Sequence, residues 1–146
     1  MGLLHRAVVA TLPLVPGPVM RRLSARYIAG ETLAQAMTTT RAFANQGYGG
    51  VLDVLGEDVA DEAEARGALA EYIACAKAIA DTKVDSYVSV KPTHFGLRLS
   101  EDLCLELYGE LATQCTALGQ KLRVEMEDHT TTDATLRLFR NLRERF

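Results

Sequence analysis

A lysine and two carboxylates stand in three short apolar runs: Asp53 within Val51 to Leu55, Lys91 closing Tyr87 to Lys91, and Glu125 within Leu122 to Met126. In each run one parity is apolar, namely Leu52 and Val54, then Val88 and Val90, then Leu122, Val124 and Met126. The other parity carries Asp53, then Ser89 and Lys91, then Arg123, Glu125 and Glu127. Extended chain sends alternate side chains to opposite faces, so the apolar set is expected to meet helices and the polar set to converge on the far side. An ammonium flanked by carboxylates there could hold an anionic substrate group. It could equally be an internal ion pair, because buried charges are usually partnered and Lys91 would lie one strand, about 4.8 Å, from Asp53 or Glu125.

His94 and His129 follow the second and third runs, and both are expected on the same rim, exposed to solvent, beside Glu125, Glu127 and Asp128. No H-E-x-x-H or other fixed ligand spacing accompanies them, so no metal site is expected. The chain also lacks G-x-G-x-x-G, a Walker loop and G-x-S-x-G, which argues against a dinucleotide fold, an NTPase and a typical α/β hydrolase.

The three runs are centred near residues 53, 89 and 124, a spacing of 35 or 36 residues, and helical patterns fill the intervals. From about Asp58 to Ala80 the set Leu69, Tyr72, Ile73, Ala76 and Ala80 keeps helical spacing, behind an acidic start of Glu57, Asp58, Asp61, Glu62 and Glu64 that reads as a solvated helix face. Ser100 is expected to cap a second helix with the stripe Leu103, Leu107, Leu111 and Leu118, closed by Gly119. Asp133 and the preceding threonines start a third, with Leu138, Phe139 and Leu142 on one side and Arg137, Arg140, Arg143 and Arg145 as surface partners of its C-terminal dipole. Strands alternating with helices at this period build right-handed βαβ units in a parallel sheet. The expected fold is therefore α/β: an N-terminal helical arm over residues 1–48, then about three β/α units over residues 49–146 that form either a small open sheet or an incomplete (β/α)8 TIM-type barrel, a complete barrel needing about 250 residues.

Within the arm, Ala7 to Met20 is apolar but interrupted by Pro13, Pro16 and Pro18, too short for a bilayer span and without a small-residue cleavage pattern or a myristoylation signal. Glu31 to Gln46, with Leu33, Met37, Thr40 and Phe43 in step, reads as an amphipathic helix stopped by Gly47. The whole chain has 146 residues, 48% hydrophobic and 24% charged, with 16 basic against 19 acidic side chains and a net charge of −3. That balance gives no field to gather nucleic acid or anionic lipid. Cys75, Cys104 and Cys115 form neither a disulfide framework nor a zinc motif, and Cys104 and Cys115 are too far apart along one helix to bridge, so a reducing cytoplasm is expected.

The runs RYIAGET (Arg26 to Thr32), VLDVLGE (Val51 to Glu57), VSVKPTHFGL (Val88 to Leu97) and VEMEDHTTTDATLRLFRNLR (Val124 to Arg143) resemble, in family order, the N-terminal part of proline dehydrogenase. That resemblance implies a distorted (β/α)8 barrel with FAD against the C-terminal ends of its strands, oxidising L-proline to 1-pyrroline-5-carboxylate. By position it implies that Lys91 lies beside the proline carboxylate, that Asp53 is the acidic residue of the first strand, and that Glu125 stands next to the flavin and the lysine as a cofactor-binding residue. Glu125 and Pro92 depart from the aspartate and leucine usual in the family; the extra methylene displaces the carboxylate, and proline removes an amide donor. The family's later strands and its substrate-gripping arginine pair have no counterpart in these 146 residues, so the chain reads as truncated, with FAD binding and turnover by it alone expected to be weak or nil. An electron acceptor at the membrane periphery is a further implied partner. The competing expectation is a non-catalytic half-barrel that pairs with a second copy or a complementary chain through an open sheet edge.

Overall fold

A computed structural model of the chain describes residues 15–24 and 27–146. The apolar run before residue 15, Pro13 of the Pro-rich bend, and Arg26 lie outside the described residues. The chain divides into two compact units, residues 1–39 and 40–146.

In the first unit, helix α1 spans Gly17–Ser24, and helix α2, Leu33–Ala44, starts here and runs on into the second. Thr32 and Gln35 cap α2 reciprocally: the Gln35 amide donates to Thr32 Oγ1 at 3.3 Å, and the Glu31 amide donates to Gln35 Oε1 at 2.9 Å. This exchange starts the helix two residues later than the periodicity suggests. Gly47, at φ +86°, provides the expected stop. Of the anticipated stripe only Met37 is buried, and Phe43 is exposed with Tyr48 edge-on at 6.3 Å.

The second unit is a three-stranded parallel sheet in the order β1 (Gly50–Asp53), β2 (Ser86–Val90), β3 (Leu122–Val124). Helices α3 (Glu62–Thr82), α4 (Glu101–Ala117) and α5 (Thr132–Arg145) follow the strands in turn, and a 3₁₀ turn, Pro92–Phe95, lies between β2 and α4. Asp53 is in register with Ser89, and Ser89 with Arg123. The α/β class and parallel arrangement agree with the sequence period.

Sequence expectations hold in some elements and need correction in others. The acidic start of α3 is exposed as expected, and it also caps the helix: Asp61 accepts from the Glu64 amide at 2.9 Å while Glu64 accepts from the Ala60 amide at 2.8 Å, so the helix begins at Glu62. The buried side of α4 is Cys104, Leu107, Tyr108, Leu111, Ala112 and Cys115, so Leu103 and Leu118 sit at its margin, and on α5 Phe139 is exposed while Thr135, Leu138 and Leu142 are buried. The expected alternation holds in the two edge strands, but burial of its apolar side is incomplete there. Val88 and Val90 are buried, Leu52, Val54, Leu122 and Val124 only partly, and Met126, past the end of β3, is exposed. The central strand has neighbours on both sides, whereas each edge strand has one, so the same pattern yields full burial only in the middle.

The core lies between β2 and the helices. Tyr72, Phe95, Tyr108, Ile79, Leu107 and Leu111 have essentially no exposure, and burial of each large side chain contributes about 1.5–3 kcal/mol. The cysteines are free and buried, with burial pushing the Cys104 thiol up to about 12 and Cys115 up to about 11. Among the described residues no helix is long and apolar enough to cross a membrane.

Candidate functional site at the C-terminal ends of the strands

Asp53 is the last residue of β1, and Lys91 is the first residue beyond β2, in extended conformation ahead of the 3₁₀ turn. Pro92 takes the first position of that turn, where its fixed φ suits the geometry and no amide donor is needed, so its missing N–H is accommodated locally. Lys91 Nζ donates to Asp53 Oδ2 at 2.7 Å, with the two side chains 20% and 33% exposed. The pair is thus only partly screened. Burial works against the charged lysine, but the hydrogen bond and attraction from Asp53, with smaller contributions from Glu125 and Glu57, outweigh it and hold the ammonium above the ordinary lysine value.

Glu125 does not pair with Lys91 directly. It accepts a hydrogen bond from Ser89 Oγ at 3.2 Å, and its own amide donates to Val90 O at 3.0 Å, continuing the β2–β3 ladder by one bond. Asp53, Lys91 and Glu125 are therefore gathered on three neighbouring strand ends, with Ser89 between the outer two.

Periodicity assigned Tyr72 only to a helix face. It is fully buried, yet its hydroxyl reaches the end of β1, donating to Asp53 Oδ1 at 3.0 Å, accepting from the Val54 amide at 3.2 Å and lying 3.3 Å from Val54 O. Burial and the Asp53 charge keep the phenol protonated well above the ordinary tyrosine range. Tyr108 donates to Val90 O at 2.6 Å, and both bonds join a tyrosine to a strand-end carbonyl 18 residues earlier.

His94 is also misjudged by sequence. It lies in the 3₁₀ turn, is only 8% exposed, and packs edge-on against Tyr72 at 5.9 Å. Gly56 makes this possible, since a Cβ there would fall 2.3 Å from His94 Nε2. Burial lowers the imidazole pKa; Asp53 and Glu71 oppose that shift and Lys91 adds to it. His94 Nδ1 is buried without a hydrogen-bond partner. His129 is exposed. Among the described residues no group of three or more His, Cys, Asp or Glu side chains is arranged for a metal ion.

The surrounding loops are cross-linked. Glu127 accepts from the Thr93 amide at 3.0 Å and from the Thr93 hydroxyl, tying the turn after β2 to the end of β3. The Arg98 fork reaches Asp58 at 2.7 Å, Asp128 at 2.6 Å and Thr130 at 3.0 Å, so one guanidinium joins the loops after all three strands. A groove of about 360 Å³ opens between the loop after β1 and α3, with Leu55, Glu57, Val59, Glu71 and His94 in its wall.

A parallel α/β sheet that presents a buried-edge lysine between carboxylates at the C-terminal strand ends has the layout of an α/β enzyme site. The chain matches the family described as Proline dehydrogenase over residues 36–145, and it belongs to that family. It is 32% identical over 126 residues to "Proline dehydrogenase 1" of Bacillus subtilis subsp. natto, an alignment covering 86% of this chain and 42% of that protein. Against "Proline dehydrogenase" of Deinococcus radiodurans the identity is 31%, covering 84% of this chain and 41% of the relative. The chain therefore spans about 42% of the length of curated relatives it matches. In fold it is similar to the crystal structure of proline utilization A from Bdellovibrio bacteriovorus inactivated by N-propargylglycine, with a TM-score of 0.72 at 19% identity, over 82% of this chain and 15% of that one.

Proposed function

We propose that this chain supplies the substrate-carboxylate end of an FAD-dependent proline dehydrogenase site, its three β/α units being the first three of a (β/α)8 barrel. The observation that carries the reading is the Lys91–Asp53 pair: an ammonium held at a strand end by one carboxylate, with donors to spare. In that role Lys91 binds the proline carboxylate, Asp53 holds Lys91 in place, and Glu125 lines the cofactor edge.

The residues present fit an isoalloxazine edge on this face. Glu125 is partly exposed, and among the described residues Ser89 Oγ is the one donor to its carboxylate, leaving acceptor capacity for a ring N–H. Bound flavin would accept the hydride removed from the proline ring. The chain's own contribution is to bind, orient and partly desolvate the substrate anion, which strengthens the Lys91 interaction relative to water. Three buried free thiols favour a reducing, cytoplasmic setting, and electrons would leave through an acceptor at the membrane periphery.

The test is Lys91→Met in FAD-loaded protein. A lost charged hydrogen bond of about 1.5–3 kcal/mol raises the proline KM by about 10- to 150-fold, with flavin content and melting temperature nearly kept. An unchanged KM in a folded, flavin-loaded variant removes Lys91 from the site. Loss of fold and flavin together makes the pair structural.

A second reading rests on the sheet edges. β1 and β3 each pair on one side only, and Val51 and Met126 beside them are 43% and 49% exposed. This supports pairing with a second copy or a complementary chain as a non-catalytic assembly. Light scattering would show a concentration-dependent mass without flavin or proline dependence; a monomer at all concentrations would contradict self-pairing.

A further inference from the structure

We infer that Tyr72 is a positioning residue for Lys91, acting through Asp53; the inference deepens the proposed reading and rests on it for its consequence in catalysis.

The two oxygens of Asp53 have separate tasks. Oδ2 accepts from Lys91 Nζ at 2.7 Å, and Oδ1 accepts from the Tyr72 hydroxyl at 3.0 Å. Tyr72 is in turn fixed from three sides. The Val54 amide donates to its oxygen at 3.2 Å, the Phe95 ring meets it edge-on at 5.6 Å, and the His94 ring does so at 5.9 Å. Its hydroxyl carries a single proton, which can serve Asp53 or the Val54 carbonyl at 3.3 Å, and the charged acceptor at shorter range is favoured.

The carboxylate is consequently anchored at one oxygen by a group with no exposure, and its other oxygen is aimed at the lysine. Without that anchor Asp53, whose side chain is one-third exposed, is free to turn toward water, and Lys91 loses a fixed counter-charge. Tyr108 isolates the effect. It makes the corresponding bond one unit along, to Val90 O at 2.6 Å, with no carboxylate involved.

Tyr72→Phe keeps the ring and removes only the hydroxyl. In protein carrying this chain, the Lys91 ammonium, followed by ¹³C/¹⁵N NMR of labelled lysine without proline, is expected to titrate lower than in wild type, toward the ordinary lysine value. Tyr108→Phe is expected to leave that titration unchanged. In FAD-loaded protein the proline KM should rise about five-fold in Tyr72→Phe, with flavin content kept, since an interaction that merely orients a binding group is lost. An unchanged or raised Lys91 pKa overturns the positioning role. A lowered pKa with an unmoved KM upholds it and removes Lys91 from substrate binding, so the two failures are separable. Should Tyr72→Phe not fold, Asp53→Asn is read at the Tyr72 ring. Its Cζ signal at neutral pH is then expected to shift from the wild-type position, because the hydroxyl has lost its charged acceptor, and no change overturns the coupling.

Discussion

The first and second β/α units use the same device to different ends. Each places a tyrosine hydroxyl from its helix against the strand-end backbone 18 residues earlier. In the second unit that strand is fully buried from Val88 to Val90, and Tyr108 bonds only a carbonyl. In the first unit the strand is half open, and Tyr72 divides its hydroxyl between backbone and the Asp53 carboxylate that holds Lys91. One unit fixes the frame; the other hangs a partly exposed charge pair on that frame. The contrast follows from strand position, since only the central strand is flanked on both sides.

The largest effect that would break this division is expected at Phe95, which links the two tyrosines with ring centroids 5.6 Å from Tyr72 and 5.0 Å from Tyr108. Phe95→Ala should cost about 3–5 kcal/mol in denaturant unfolding and disturb both units; a cost under about 1 kcal/mol would mean that they are not packed through one ring.

A smaller effect is expected from pH. The folded-state pKa of His94 is lowered below the ordinary 6.5, with Asp53 and Glu71 opposing and Lys91 adding to the effect of burial. The unfolded chain therefore binds this proton at higher pH than the folded chain does. Stability should fall as pH drops through about 6.5 and level off below the folded value. Measured melting temperatures should show this decline in wild type and lose that component in His94→Gln. A decline of the same size in the variant would assign it elsewhere.

The smallest effect is expected at Arg98, whose bonds to Asp58, Asp128 and Thr130 are solvent-exposed. Arg98→Gln should lower the melting temperature slightly at low salt and not at all in 1 M salt, because exposed ion pairs are screened. A salt-independent loss would instead point to a packing role.

The parallel order and the gathering of Asp53, Lys91 and Glu125 at neighbouring strand ends were legible from sequence, because period and parity specify which residues reach those ends, but they left open whether Asp53 or Glu125 would take the Lys91 ammonium. The connection of Glu125 to the Asp53–Lys91 pair through Ser89 was not legible, since it depends on how a glutamate bends within a register. Tyr72 was hidden because helical spacing identifies a buried face but not which strand residue its hydroxyl will meet. His94 was misread because a loop position suggests exposure, whereas the 3₁₀ turn and the bare Gly56 fold it inward. Met126 and Phe139 show the opposite error: apolar residues in step with a pattern remain exposed, Met126 just past the edge strand β3 and Phe139 on α5.

The central claim is that Lys91 is a carboxylate-binding cation and not merely the partner of Asp53. The most direct measurement is the NMR response of the Lys91 ammonium in FAD-loaded protein to L-proline and to pyrrolidine, the same ring without its carboxylate. The expected result is a saturable shift with L-proline and none with pyrrolidine. An ammonium signal that both ligands leave unmoved, or that both move equally, would contradict the claim.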